Sequence, residues 1–141
     1  MSSLKPVTAG ILVRDGKILL AQRDNNDSAG GLWEFPGGSV EKNETPDMCI
    51  VRELKEEIDM DVSALCLYDA IPTDWGGIIL IYLCDSKGTP KPIECQDVQW
   101  VAPERLLDYK THKSDLQMMR RISKNSKAFF AHFYKCRDER A

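Results

Sequence analysis

Residues 46–58, Pro-Asp-Met-Cys-Ile-Val-Arg-Glu-Leu-Lys-Glu-Glu-Ile, set the strongest constraint on what this chain can fold into. Thr45 has the chemistry of a helix N-cap, Pro46 suits the first helical position, and Asp47 suits the first turn. At ~100° per residue, Glu53, Glu56 and Glu57 share one face as i, i+3 and i+4. Ile50, Val51, Leu54 and Ile58 fall on an adjacent arc that would face a core. Such a helix must bury its apolar stripe while holding three like charges at neighbour distance. They repel unless something cationic sits among them. Two readings stay open: a solvated acidic face balanced by Arg52 and Lys55, or a site for a hard divalent cation, which takes oxygen ligands.

Charge is unevenly distributed along the 141 residues. Residues 1–109 carry 10 basic and 19 acidic side chains, whereas residues 110–141 carry 9 basic and 3 acidic. The densest acidic stretch runs from Glu41 to Asp61, with eight acids against Lys42, Arg52 and Lys55. An acidic body argues against general binding to a nucleic-acid backbone, which needs a basic face. The basic C-terminal stretch reads as a terminal helix with a solvated cationic side and Phe129, Phe130, Phe133 and Tyr134 turned inward. The longest apolar runs, such as Ile78 to Ile81, are too short to span a membrane, and Met1 to Pro6 has no apolar signal core. Five cysteines, with no C-x-x-C spacing, read as reduced thiols, which places the protein in the cytoplasm.

The rest of the chain supplies strands and turns. Residues 7–14 and 17–23 flank Asp15-Gly16, a favoured two-residue hairpin turn. Residues 24–32 are polar and Gly-rich, hence a loop. Residues 62–71 and 77–84 predict two strands joined at Thr73 to Gly76, and residues 97–102 another. Pro103 to Asp108 predicts a short helix, and residues 115–134 a helix with a break near Asn125-Ser126. Strands and helices mixed around one core point to a single layered α/β domain over residues 1–141.

The acidic helix is approached through Leu32-Trp33-Glu34-Phe35-Pro36-Gly37-Gly38. Two glycines after a proline allow backbone groups to come close to a ligand. Together with Glu44, Arg52, Glu53, Leu54, Glu56, Glu57 and Met60, Gly38 resembles the box of the Nudix hydrolases, G-x5-E-x7-R-E-U-x-E-E-x-G-U, with U a bulky aliphatic residue. Eight of its nine defined positions match, the exception being Asp59 in place of glycine. That glycine serves as a left-handed helix stop, a conformation Asp tolerates better than most residues. Gln22-Arg23 and residues 32–38 are similar to the MutT branch of the family.

The resemblance implies the Nudix fold, an α/β/α sandwich around a mixed sheet. It also implies hydrolysis of a nucleoside triphosphate to the monophosphate and pyrophosphate, with water attacking the β-phosphorus. Bound Mg²⁺, with Mn²⁺ as a substitute, would neutralise the triphosphate and acidify the water. By resemblance, Glu53, Glu56, Glu57 and the Gly37 carbonyl hold metal, and Glu53 or another carboxylate is the general base. Glu44 holds Arg52, and Arg52 orients Glu53. Glu94, six residues before Trp100, matches a metal-linked glutamate of the branch.

Asp115 matches the branch's base-reading position, and its competing use is as a helix N-cap, a place Ser114 would also fill. Arg23 is a candidate for sugar or phosphate contact, or else a surface cation of no specific role, and Phe35 and Tyr68 serve either as an apolar wall to the base pocket or, as the favoured use, in core packing. Neither His112 nor His132 has an evident partner in sequence. The expected substrate is an oxidised or non-standard nucleotide, 8-oxo-dGTP first, with CTP or dCTP as the alternative. A non-catalytic nucleotide-binding module of the same fold is the competing class. No direct nucleic-acid or membrane partner is expected, and the expected assembly is a monomer or weak homodimer.

Overall fold

A computed structural model describes residues 5–26 and 29–140. The expectation of no signal core at residues 1–4, and the part of the predicted loop at Asp27 and Ser28, lie outside the described residues. The chain runs β1 (Lys5–Arg14), β2 (Lys17–Gln22), β3 (Trp33–Glu34), β4 (Gly37–Ser39), α1 (Pro46–Ile58), β5 (Asp61–Pro72), β6 (Gly77–Lys87) and β7 (Asp97–Val101). A 3-10 turn at Pro103–Asp108 then leads to α2 (Lys113–Lys124) and α3 (Ser126–Arg140).

The sheet is mixed. Strand β1 lies parallel to β6, with Lys5 opposite Gly77 and Leu12 opposite Cys84, and antiparallel to β2 and β4. The spine of the sheet is β3-β2-β1-β6-β5, with β4 pairing to β1 and β7 to β2. The β1–β2 turn is tight because Asp15 and Gly16 both take positive φ, 52° and 73°, the pattern of a primed hairpin turn.

Alternation along the strands feeds two cores, one on each face. Ile11, Ile18 and Leu20 point to one side, where Phe35, Met118, Met119, Ile122, Phe129 and Phe133 complete a buried cluster with α2 and α3. Leu12, Leu19 and Ala21 point to the other, against Ile50, Leu54 and Ile58 of α1. The predicted stripe on α1 is shifted by one position: Cys49 is buried in it, while Val51 is 39% exposed at its edge. Burying each large aliphatic side chain contributes roughly 1.5–3 kcal/mol, so both faces are anchored by packing.

Helix α1 has the predicted bounds. Thr45 accepts a hydrogen bond from the Met48 N–H at 3.2 Å, and Asp59 closes the helix in the left-handed conformation at φ 55° and ψ 41°. The helix break at Asn125 separates α2 from α3 as predicted. Strand β5 is longer than its sequence pattern suggests and carries two register shifts, between Ala64 and Cys66 and between Leu67 and Asp69. The basic terminus is packed as expected. Phe129 and Phe133 of α3 are buried, Arg121 of α2 pairs with Asp69 at 2.7 Å, and Arg140 donates to the Leu65 carbonyl at 2.8 Å. Among the described residues, no helix is long and apolar enough to cross a membrane.

Candidate active site

A cleft of about 520 Å³ opens where β1, β4, α1 and the start of α2 meet. Its walls include Glu53, Glu57, Glu94, Gly37 and Gly38 at one end, and Arg23, Phe35, His112 and Asp115 toward the other. Eight of the residues singled out by sequence therefore converge, although they span 92 positions of chain. Glu44, Arg52 and Glu56 are not among the lining residues; they stand behind the acidic wall.

Arg52 organises that wall. Its Nε and Nη2 donate to the two Glu44 carboxylate oxygens at 2.6 and 3.0 Å, a two-pronged pair. Its Nη1 donates to Glu53 at 3.0 Å and to Glu56 at 3.1 Å, and Nη2 also reaches the Ser39 carbonyl at 3.1 Å. The guanidinium beside Glu44 holds that carboxyl down at about 2, helped by the Glu41 N–H. One arginine thus supplies much of the positive charge that the acidic stretch requires.

Glu53 and Glu57 feel the opposite pressure. Burial pushes the Glu53 carboxyl up, and Arg52 offsets part of that. Glu57 is pushed up to about 8, first by burial, then by the neighbouring charge of Glu34, with Glu53 and Glu94 adding to it. Glu94 is exposed, but its own N–H and that of Ile93 both donate to the Glu57 carbonyl at 3.0 Å. The loop carrying Glu94 is thereby tied to the last turn of α1.

The two glycines earn their place sterically rather than through φ. A Cβ on Gly37 would lie 2.0 Å from the Thr8 carbonyl oxygen, and one on Gly38 would lie 2.2 Å from the Glu53 carboxyl carbon. The Gly37 N–H donates to Glu57 at 3.3 Å. Thr8 and Cys49 both hydrogen-bond the Gly38 carbonyl, at 3.2 and 3.5 Å.

This donor set fits a hard divalent cation. It consists of oxygens only, and two partly buried carboxyls are held above their ordinary range by repulsion and burial that a cation would relieve. Glu56 is turned to Arg52 and exposed, so a ligand role for it requires that pairing to be shared.

At the other end, Asp115 is 7% exposed, and burial holds its carboxyl well above the ordinary range. It is not an N-cap, and neither is Ser114. His112 fills that place, its Nδ1 accepting from the Ser114 N–H at 3.2 Å. Asp115 sits in the first turn of the helix and lines the cleft. His112, which sequence reading left without a partner, therefore caps α2 and lines the cleft; burial lowers its pKa.

Phe35 belongs to the core, 2% exposed, and also lines the cleft. Tyr68 does not line it. Its ring packs edge-on against Phe129 of α3 at 5.5 Å, because β5 presents it to the terminal helix.

Glu34, Cys95 and Trp75 also line the cleft, and their sequence context assigned none of them to it. Glu34 pairs with Arg23 at 2.9 Å; it lay within the Leu32 to Gly38 stretch but was given no role. Cys95 reads as an ordinary thiol and is placed by the loop on α1. Trp75, in the β5–β6 turn, is 50% exposed at the cleft. A large aromatic in a tight exposed turn was the available signal, since a solvent-facing turn gains nothing from it.

Comparison with known proteins shows the family and the fold. A family model described as NUDIX domain matches residues 4–122. The CTP pyrophosphohydrolase of Escherichia coli strain K12 is 36% identical over 117 residues, covering 80% of this chain and 87% of that protein. The 8-oxo-dGTP diphosphatase of Proteus vulgaris is 41% identical over 70 residues, covering 49% of this chain and 62% of that protein. Among solved structures, the E. coli ORF135 protein superposes with a TM-score of 0.75 at 33% identity, covering 89% of this chain and 93% of the other.

Proposed function

The chain belongs to the Nudix family of hydrolases, and we propose that its cleft hydrolyses nucleoside triphosphates to the monophosphate and pyrophosphate with a divalent cation, Mg²⁺ first. The observation that carries this reading is the convergence of Glu53, Glu57 and Glu94 with the Gly37-Gly38 backbone at one end of a cleft whose other end holds a buried carboxyl, Asp115. Glu53, Glu57, Glu94 and, from the outer face of α1, Glu56 would hold the cation, with the Gly37 carbonyl as a further oxygen. When bound, the cation neutralises the polyphosphate and acidifies an attacking water.

The protein's own residues do the rest. Glu53, held by Arg52 at 3.0 Å, takes the proton from that water as general base. Arg52 is fixed in turn by Glu44, so both act by positioning. Arg23, in contact with Glu34, faces the substrate's sugar or phosphate. Asp115, whose carboxyl burial holds well above the ordinary range, faces the nucleobase edge; in its protonated form it both donates and accepts, matching a paired donor and acceptor there.

As substrate we put 8-oxo-dGTP and related oxidised nucleotides first, and CTP or dCTP second. The second reading has its own support. The match to the CTP pyrophosphohydrolase spans 80% of the chain. The match to the diphosphatase spans 49%, too little to include both Gly37 and Asp115, which are 78 positions apart. A panel of canonical and oxidised triphosphates, assayed with Mg²⁺ for pyrophosphate release and kcat/KM, decides between them. Absence of turnover on every triphosphate overturns the assignment and leaves the binding-module reading.

A further inference from the structure

Cys66, His132 and Cys136 lie outside the cleft: none of them lines it. His132 and Cys136 stand beyond residues 4–122, where the family match ends. On α3 they are i and i+4, one turn apart on one helical face. Cys66 comes to meet them from β5, 70 positions away in sequence from Cys136, with the two Sγ atoms 2.7 Å apart. The His132 Nε2 is 3.7 Å from the Cys136 Sγ. Among the described residues these three side chains bring one ligand atom each within 4.8 Å of one another.

The fold makes this meeting in a specific way. The register shift between Ala64 and Cys66 breaks the alternation of β5, and a bulge of this kind re-aims side chains. As a result Leu65 is buried in the core beneath α3, and Cys66 also packs against that core instead of pointing to the opposite face. The Tyr68 ring lies 5.3 Å from the His132 ring and sets its tilt.

We propose that Cys66, His132 and Cys136 form a Zn²⁺ site that fastens the terminal helix α3 to β5. Two sulfurs and an imidazole nitrogen are the donor set that favours Zn²⁺ over Mg²⁺, the reverse of the all-oxygen cleft. Ligand atoms on one tetrahedral Zn²⁺ stand about 3.7 Å apart, so the sulfurs separate by about 1 Å on binding. Both thiols lose their protons to solvent, the imidazole binds neutral through Nε2, and a water completes the coordination from the exposed side of His132. A disulfide would use the two sulfurs alone and leave the third donor, placed one helical turn away, without a role.

The experiment uses the full chain, fully reduced, in excess Mg²⁺ so that the oxygen site is saturated. Titration with Co²⁺ should give the strong near-ultraviolet bands of sulfur-to-cobalt charge transfer, saturating at one ion per chain. Zn²⁺ should displace the cobalt and raise the Tm. Cys66→Ser and Cys136→Ser should each weaken the charge-transfer bands and cost roughly 100-fold or more in Zn²⁺ affinity, the Cys66→Ser/Cys136→Ser double variant should abolish the bands, and His132→Ala should weaken the affinity. Cobalt spectra showing oxygen ligation alone overturn the proposal. So does Zn²⁺ uptake that is unchanged in the Cys66→Ser/Cys136→Ser double variant, or closure of the two thiols to a disulfide in air with equimolar Zn²⁺ present. The site is independent of the hydrolytic reading: these variants leave every cleft residue in place, so triphosphate turnover in Mg²⁺ should persist whichever way the metal result falls.

Discussion

Gly38 and Glu53 approach so closely that a single methyl group between them has no room: a Cβ on Gly38 would fall 2.2 Å from the Glu53 carboxyl carbon and 2.4 Å from Oε2. The β4 backbone is therefore a wall against which the candidate general base is set. Gly38→Ala should displace the Glu53 side chain while leaving the α1 packing untouched. A shift of about 1 Å at a reacting group costs roughly 10²-fold in rate. The expectation is a kcat loss of that order with KM little changed and a Tm close to wild type. Glu53→Gln keeps the shape and removes the base, and should lose roughly 10³-fold. A Glu53→Gln loss under about tenfold would refute the role given to it.

Arg52 reads as a positioning residue because its planar fork meets several partners at once. Two donors take Glu44, while Nη1 is shared between Glu53 and Glu56. Lysine keeps the charge and loses the fork. Arg52→Lys should lower kcat by about 10–100-fold and weaken metal affinity over the same range, with base preference unchanged. Glu44→Gln should follow in the same direction. The Glu44 carboxyl, at about 2 against an ordinary 4.5, favours the folded state at neutral pH. That contribution should fade as pH falls from about 4.5 through 2. Stability profiles of wild type and Glu44→Gln should run parallel and apart above that window and converge as pH falls through it.

Glu57 gives the opposite pH dependence. Its carboxyl is raised from 4.5 to about 8, so the folded state holds its proton more tightly than the unfolded chain does. The stability linked to that proton is complete below about 4.5 and is lost as pH rises toward 8. In EDTA, the Tm of wild type should fall across this window more steeply than that of Glu57→Gln. Mg²⁺ should restore stability most at the alkaline end, where the carboxylate is ionised. Parallel Tm curves for the two proteins in EDTA would show that Glu57 does not carry a raised pKa.

The parts of this fold that were legible in the sequence are those decided locally. Thr45-Pro46-Asp47 begins α1, Asp59 ends it, and Asp15-Gly16 turns the first hairpin, each through its own side chain or φ. The wall behind the cleft was legible for the same reason, since Glu44, Arg52, Glu53 and Glu56 all belong to one short segment. Strands β3 and β4, of two and three residues, were not legible: their only reason to be strands is pairing to β2 and β1. Nor was the cap of α2, because an imidazole accepting through Nδ1 is outside the usual capping residues. Of the two uses open to Tyr68, a pocket wall or core packing, the fold takes the second, because β5 lays it against Phe129 of α3. What the two sides of the molecule share is long-range closure, which no local pattern encodes.

Asp115 and Trp75 separate two kinds of substrate contact. Asp115 is buried at 7% exposure, and burial keeps its carboxyl protonated well above the ordinary carboxylate range. In that state it both donates and accepts a hydrogen bond, whereas Ala does neither. Asp115→Ala should therefore change the ratio of kcat/KM between 8-oxo-dGTP and CTP, because one base edge loses more than the other. Loss of a hydrogen bond in a site built for it can cost 10-fold or far more. Asp115→Asn, an isostere that still donates and accepts, should retain more of the selectivity, and should remove the loss of stability that the raised carboxyl brings as pH rises. Trp75 offers chiefly a ring face beside its single indole N–H, and every base stacks on such a face. Trp75→Ala should raise KM for all triphosphates by a similar factor, of about tenfold, with kcat unchanged. If Asp115→Ala lowered every substrate equally and Trp75→Ala altered their ratio, the roles given to the two residues would have to be exchanged.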